Sequence, residues 1–283
     1  MKLSELIEKN CDELELRQGD RSTITGIPTG YTRLDQITSG FQKANIITIC
    51  GASGSGKRAL AYNFARNAAI ENRKHVSLFS LFLRPEETSM RMLCAEARVD
   101  SSRIRSGFLS RDDWHKLTNA GGILFDSNMD IFCFGSDVFN YDNWQCDMII
   151  IDSFQRLKSD DSAPNISQEQ ISYSLLNRIK SWALLRDIPV IIISSLNDWR
   201  IEQRSDKRPR LSDFKYGYSA LADMSDVMIC VYRDEMYNTD ENNPNRGTAE
   251  VIVSKQRTGP TGTAVLTFLN SFCRFENLAN EPT

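Results

Sequence analysis

No apolar run in the sequence approaches the ~18 residues a membrane-spanning helix needs. The opening Met1-Lys2-Leu3-Ser4-Glu5 also lacks the apolar core of a signal peptide. These two absences predict a cytoplasmic protein with no membrane partner. Histidine is scarce: His75 and His115 are too isolated to build a metal centre. The 7 cysteines are odd in number and contain no Cys-x-x-Cys pair. Several lie inside apolar runs, where they read as small core residues of a reducing compartment. Neither sign of charge dominates, and a net charge of −3 excludes a global attraction to nucleic acid, so any DNA contact must be local. Internal repeats and low-complexity segments are also missing. What remains is an ordinary globular composition, 41% hydrophobic and 25% charged. The 283 residues suffice for one large α/β domain or two small ones.

The informative stretch is 46–58, Ile-Ile-Thr-Ile-Cys-Gly-Ala-Ser-Gly-Ser-Gly-Lys-Arg. A β-branched apolar run meets Gly51, Ala52, Ser53, Gly54, Ser55, Gly56 and Lys57, and an apolar-striped helix follows over 59–65. Strand, glycine-rich turn and helix N-terminus together cradle a polyphosphate. The glycines let backbone N–H groups converge on phosphate oxygens, and the helix dipole and lysine add positive charge. The motif has one fault. Its next position is normally Ser or Thr, whose hydroxyl holds Mg²⁺, and here it is Arg58.

Apolar runs that read as strands recur at 75–80, 131–134, 148–152 and 188–194, with helical patterns between them from Pro85, over 100–119 and over 168–186. This alternation predicts a mainly parallel sheet flanked by helices, and the chain ends strand-rich at 227–232, 249–254 and 264–268. Met148-Ile-Ile-Ile-Asp152 ends in a carboxylate at a strand tip, where open α/β sheets bind ligands. Following a phosphate loop, Asp152 reads as the Walker B carboxylate, which holds Mg²⁺ through water.

Two further features each admit two readings. Residues 3–15 place Leu3, Leu6, Ile7, Cys11 and Leu14 on one helical stripe, which packs either on this domain's own core or on something else. A polar linker follows, making 1–20 a short N-terminal unit and 21–283 the main domain. The segment 198–215 carries Arg200, Arg204, Lys207, Arg208, Arg210 and Lys215, which either contact a nucleic-acid backbone or line a solvated loop.

Together these pieces resemble the C-terminal motor domain of the DnaB-type replicative DNA helicases, a RecA-like P-loop fold. The entry Thr25-Gly-Ile-Pro-Thr-Gly-Tyr-Thr-Arg-Leu-Asp35, the segment Arg98-Val-Asp100, Ile151-Asp152-Ser-Phe-Gln155, Glu202-Gln-Arg-Ser-Asp-Lys-Arg-Pro209, Tyr232-Arg-Asp-Glu235 and Lys255-Gln-Arg-Thr-Gly-Pro260 follow in the family's order. The resemblance implies ATP or ADP as cofactor, with Arg233 beside the nucleotide. It also implies a ring of identical or mixed subunits around single-stranded DNA, with Lys255 and Arg257 reaching a neighbour's γ-phosphate as trans fingers. Arg204, Lys207, Arg208, Lys215 and Gly217 then belong to the DNA-contacting region.

The departures from the family pattern concern hydrolysis. Arg58 replaces the Mg²⁺ ligand, which puts Mg²⁺ itself in doubt. Phe82 stands at the position of the catalytic glutamate, the general base, and Ser195 at that of a glutamine sensor of the γ-phosphate. The family's helix before Walker B looks shortened between 135 and 147, and no collar domain precedes the short N-terminal helix. The expectation is a nucleotide-binding, hydrolysis-impaired DnaB-like protein of DNA replication, acting as regulator or accessory on a replicative helicase, a helicase loader or DNA. The alternatives are an active helicase or translocase in which Glu86 or Glu87 supplies the base, and a remnant that binds neither nucleotide nor helicase.

Overall fold

Successive side chains of a strand point to opposite faces, and in the central strands here both sets are buried. The computed structural model describes residues 2–20, 24–133, 138–139, 145–158, 166–215 and 217–279. Its strands are β1 (Ile46–Gly51), β2 (Val76–Ser80), β3 (Met129–Cys133), β4 (Met148–Asp152), β5 (Val190–Ser195), β6 (Val227–Tyr232), β7 (Thr248–Gln256), β8 (Gly262–Leu269) and β9 (Arg274–Asn277). They form one sheet in the order β3-β2-β4-β5-β1-β6-β7-β8-β9. From β3 to β6 the neighbours run parallel, and from β6 to β9 antiparallel. The expected α/β class and strand-rich C-terminal end are both present.

The helices are α1 (Leu3–Asp20), α2 (Thr32–Thr38), α3 (Lys57–Arg66), α4 (Pro85–Ala97), α5 (Ser101–Ser106), α6 (Arg111–Phe125), α7 (Gln168–Arg186), α8 (Asp198–Glu202) and α9 (Ala220–Met224). On one face Ile47 and Ile49 of β1 meet Leu34 of α2 and Leu60 and Phe64 of α3. On the other, Ile46 and Cys50 meet Leu176 and Ile179 of α7 and Leu221 of α9. A strand covered on both sides has no polar face to show, which is why β1, β4 and β5 read as continuous apolar runs. Outside this doubly covered centre, β7 alternates buried Ala249, Val251 and Val253 with more accessible residues.

Local chemistry fixes the helix starts. Ser167 and Gln170 close a capping box on α7, each side chain accepting from the other's backbone N–H. Pro85, Glu86 and Glu87 occupy the first turn of α4.

Several expectations shift. The polar stretch from 100 to 119 divides into α5 and α6, separated by Gly107 in the left-handed region at φ 76°. Helix α1 runs through Gly19 to Asp20 rather than stopping before them, and Leu3, Leu6, Ile7, Cys11 and Leu14 are all exposed. The reading in which this stripe docks on its own core is therefore not realised. The basic segment is not wholly a loop, since α8 opens it and a 3-10 turn at Leu211–Asp213 closes it. Strand β9 had no forerunner in the sequence reading. The linker at 21–23, Phe134, most of the shortened stretch before β4 and the polar loop at 159–165 lie outside the described residues.

Candidate functional site

At the carboxyl end of β1 the chain leaves the sheet between β5 and β6, with Gly51 registered against Ser195 and Val231. Gly56 then caps α3 at φ 95°, and a β-carbon there would meet the Phe275 ring at 3.1 Å. The backbone angle favours glycine, and the ring leaves little room for a larger residue. Ala52 and Ser55 are buried beneath the loop. Ser53, Gly54, Gly56, Lys57 and Arg58 border a cavity of about 370 Å³ that Phe82 and Ser195 also line. The volume lies in the range of small-molecule sites.

The loop is held from three sides. Lys57 Nζ donates to the Ala52 carbonyl at 3.0 Å. Arg233 Nη1 donates to the Gly54 carbonyl at 3.1 Å, while its guanidinium pairs with Glu235 and lies 4.4 Å from the Phe268 ring centre. The Ser53 N–H is taken by Asp198 Oδ1 at 3.0 Å. Burial, then the neighbouring charge of Arg58, lowers the Lys57 pKa below the usual lysine value. The negative charge of an incoming polyphosphate would oppose both effects.

Arg58 turns from the loop to the tip of β4. Its Nε donates to Asp152 Oδ2 at 2.5 Å, and Tyr62, one helical turn along α3, donates its hydroxyl to the same oxygen at 2.7 Å. Burial, followed by the Asp152 charge, raises the Tyr62 pKa, so its proton stays on the phenol. The Phe82 ring centre lies 4.6 Å from the Arg58 guanidinium carbon and 5.4 Å from that of Arg156, two cation–π contacts. Asp152 is 0% exposed behind this cover, and its Oδ1 is buried with no hydrogen-bond partner among the described residues.

The Mg²⁺ that the fold implies does not fit these residues. The hydroxyl ligand is replaced by a cation, the carboxylate is sealed behind a guanidinium and a phenol, and a divalent ion would have to displace Arg58. Among the described residues no cluster of three or more His, Cys, Asp or Glu side chains offers a substitute.

Ser195 ends β5 at the cavity wall, and its neighbour Ser194 accepts from Gln155 Nε2 at 2.7 Å. Glu86 and Glu87, the candidate replacement bases, line a different cavity beside Met90 and Ile104. Lys255 and Arg257 sit at the opposite end of the strands, at the end of β7 beside the start of β6. Lys255 Nζ donates to the Ala222 and Asp223 carbonyls at the end of α9. Arg257 Nε lies 3.1 Å from Asp226, whose carboxylate also accepts from the Ile46 N–H at the start of β1. The six residues of β1 separate them from the loop by roughly 17 Å. These two cations do not converge on the cavity of their own chain.

Of the basic segment, Arg204 is a fork on buried Asp213 at 2.5 and 2.8 Å, and Arg208 is a fork on Glu250 at 2.7 and 2.6 Å. Lys207 donates to the Glu202 carbonyl, and Lys215 is exposed. Gly217 is buried against Gln168, and its carbonyl accepts from Ser172. Tyr62, Arg156 and Asp198 escaped the sequence reading. The spacing of Tyr62 four residues beyond Arg58, on one helix face, is the signal that could have found it.

The model of the DnaB-like helicase C-terminal domain matches residues 26–277. The replicative DNA helicase DnaB of Geobacillus stearothermophilus is 34% identical over 98% of this chain, and the replicative DNA helicase DnaC of Bacillus subtilis is 36% identical over 95%. The chain spans 62% and 60% of those two proteins' lengths. Among solved structures, the ATPase domain of G40P superposes with a TM-score of 0.87 at 30% identity, covering 98% of this chain and 99% of that one. A DnaB-like replicative helicase studied with primase gives a TM-score of 0.84 at 31% identity, covering 98% of this chain and 67% of that one. The sheet order, the glycine loop opening α3, the carboxylate at the tip of β4 and these matches lead to one assignment: the chain belongs to the DnaB-like helicase C-terminal domain family.

Proposed function

We propose that this protein is a nucleotide-holding, hydrolysis-impaired member of the DnaB-like helicases. It acts in DNA replication as an accessory subunit, through contacts with a replicative helicase, a helicase loader or single-stranded DNA. The observation that carries this reading is the Arg58–Asp152 pair under Phe82.

The loop amides, Lys57 and Arg58 supply positive potential for the phosphates of ATP or ADP. Arg233 holds the loop in shape by its bond to Gly54. At the place where an attacking water must lose a proton, Phe82 offers an aromatic face and no basic atom. Loss of a general base alone costs about two to four orders of magnitude in rate. Lys255 and Arg257 do not serve their own cavity; on leaving their present partners they would complete the site of an adjoining subunit, where such cations stabilise charge on the transferred phosphoryl group. A ring of mixed subunits lets the chain contribute a finger without turning over nucleotide itself. In the alternative, an active helicase or translocase, Glu86 or Glu87 serves as base, and neither borders the cavity that holds Lys57.

The deciding experiment measures ATP turnover and nucleotide binding by the purified protein, with and without single-stranded DNA and Mg²⁺. Binding without turnover supports the proposal. DNA-stimulated turnover abolished by Lys57→Ala refutes it and restores the active helicase. An effect on a replicative helicase's ATPase in mixture, lost in Arg257→Ala, tests the accessory role.

A further inference from the structure

We infer that the cavity grips the polyphosphate of a nucleoside di- or triphosphate without a divalent cation, the Arg58 guanidinium standing in its place. This rests on the nucleotide-holding reading above and specifies its metal requirement.

Two contacts place the guanidinium, and a third fixes one of its partners. Its Nε is fixed on Asp152 Oδ2, that oxygen is itself fixed by the Tyr62 hydroxyl, and the plane is covered by the Phe82 ring. A guanidinium carries five N–H donors, and only the one on Nε is used: among the described residues Nη1 and Nη2 of Arg58 have no protein acceptor. The side chain nevertheless borders the cavity beside Lys57, Gly54 and Gly56. An arginine with unspent paired donors beside a phosphate-type loop is suited to bidentate recognition of phosphate oxygens.

Metal ions bridge β- and γ-phosphate oxygens and neutralise their charge in related sites. Here a fixed cation occupies the mouth of the carboxylate that would anchor the ion. Arg58 is 27% exposed on its side chain and Asp152 0%, so the cation faces the cavity while its counter-ion is shut away. A metal arriving with the nucleotide finds no hydroxyl at position 58 and the Asp152 carboxylate buried behind Arg58 and Tyr62, and meets a like charge. The polyphosphate finds Lys57 and Arg58 side by side.

The test is equilibrium binding of ADP bearing a methylanthraniloyl fluorophore, and of ATP by calorimetry, to the wild-type full chain. Each titration is run in millimolar MgCl₂ and in EDTA. The inference expects equal affinity in the two buffers. It also expects Arg58→Thr to weaken binding in EDTA by about tenfold to a hundredfold, the loss of charge-assisted hydrogen bonds, with Mg²⁺ recovering part of it. Arg58→Lys, which keeps the charge without the fork, should fall between the two, and melting curves establish that each variant is folded. A wild-type affinity that drops about tenfold or more in EDTA overturns the inference while leaving nucleotide holding intact. Arg58→Thr binding in EDTA as well as wild type also overturns it. Absence of binding in both buffers overturns it together with the nucleotide-holding half of the proposed function.

Discussion

Replacing Arg58 by threonine restores the hydroxyl of the ordinary motif, yet it should destabilise the protein. In the wild type the Asp152 carboxylate is fully buried, receives Arg58 and Tyr62 on one oxygen, and has no partner on the other among the described residues. Arg58→Thr leaves a buried charge with a single neutral donor. Removing one member of a buried ion pair costs about 3–5 kcal/mol. Because the Arg58 side chain is 27% exposed, water already screens part of the attraction, which places the loss near ~3 kcal/mol. The stacking on Phe82 adds about 0.5–1 kcal/mol to the deficit. For a domain of this size a loss of about 3 kcal/mol lowers the melting temperature by roughly 6–12 °C.

The variant should then acquire a property the wild type lacks. With a hydroxyl at position 58 facing an uncovered carboxylate, Mg²⁺ can bind without nucleotide. An ion present at about ten times its dissociation constant adds roughly 1.4 kcal/mol, a partial rescue. Scanning calorimetry of both proteins in MgCl₂ and in EDTA reads each quantity directly. The reasoning fails if Arg58→Thr melts with the wild type, since the pair then contributes nothing. It fails equally if Mg²⁺ alone raises the melting temperature of the wild type, since the carboxylate is then not sealed.

Phe82→Glu alone should give little ATP turnover, because the new carboxylate lands beside both Arg58 and Arg156 and is neutralised by them. Combined with Arg58→Thr and Ser195→Gln, it should raise Mg²⁺-dependent turnover by up to about 10²–10⁴-fold, measured by phosphate release with single-stranded DNA. Lys57→Met should stabilise the nucleotide-free protein at neutral pH, because burial and then Arg58 penalise the charged amine. The lowered pKa means that the unfolded chain holds this proton to higher pH than the folded one. Wild-type stability therefore rises between the folded pKa and about 10.4, and the advantage of Lys57→Met should shrink over that window in urea melts. Arg257→Ala removes a contact whose cation is 58% exposed, so it should change neither the fold nor nucleotide affinity. Its effect should surface only in mixture with a helicase, as altered ATP turnover.

The parts legible in the sequence were those whose causes are local. β1, its glycine turn and α3 are specified by consecutive residues, and so are the apolar run ending in Asp152 and the helix opened by Ser167 and Gln170. Strand β9 was invisible because Arg274-Phe-Glu-Asn277 offers one apolar residue. Phe275 stays in the sheet through Asn63, which accepts from its N–H at 2.6 Å, and through packing on Phe268. The basic segment was legible as charge but not as geometry: Arg208 is spent on Glu250, a partner set by the fold rather than by neighbouring sequence. Arg58 was visible as a departure, while its consequence was not, since its counter-ion lies 94 positions away.

The substitutions at 58 and 82 form one physical unit. A glutamate at position 82 would compete with Asp152 for the Arg58 guanidinium and draw it out of the seam between α3 and β4. Phenylalanine removes the competitor and supplies the face on which the guanidinium rests, 4.6 Å from the ring centre. Conversely, a threonine at position 58 beside Phe82 would leave the carboxylate exposed to a metal ion with no base nearby to use it. Each change makes the other tolerable, and on the proposed reading they exchange a removable divalent cation for a permanent one. The charge meeting the phosphates would then be fixed by the chain, and nucleotide occupancy would follow nucleotide concentration without depending on Mg²⁺.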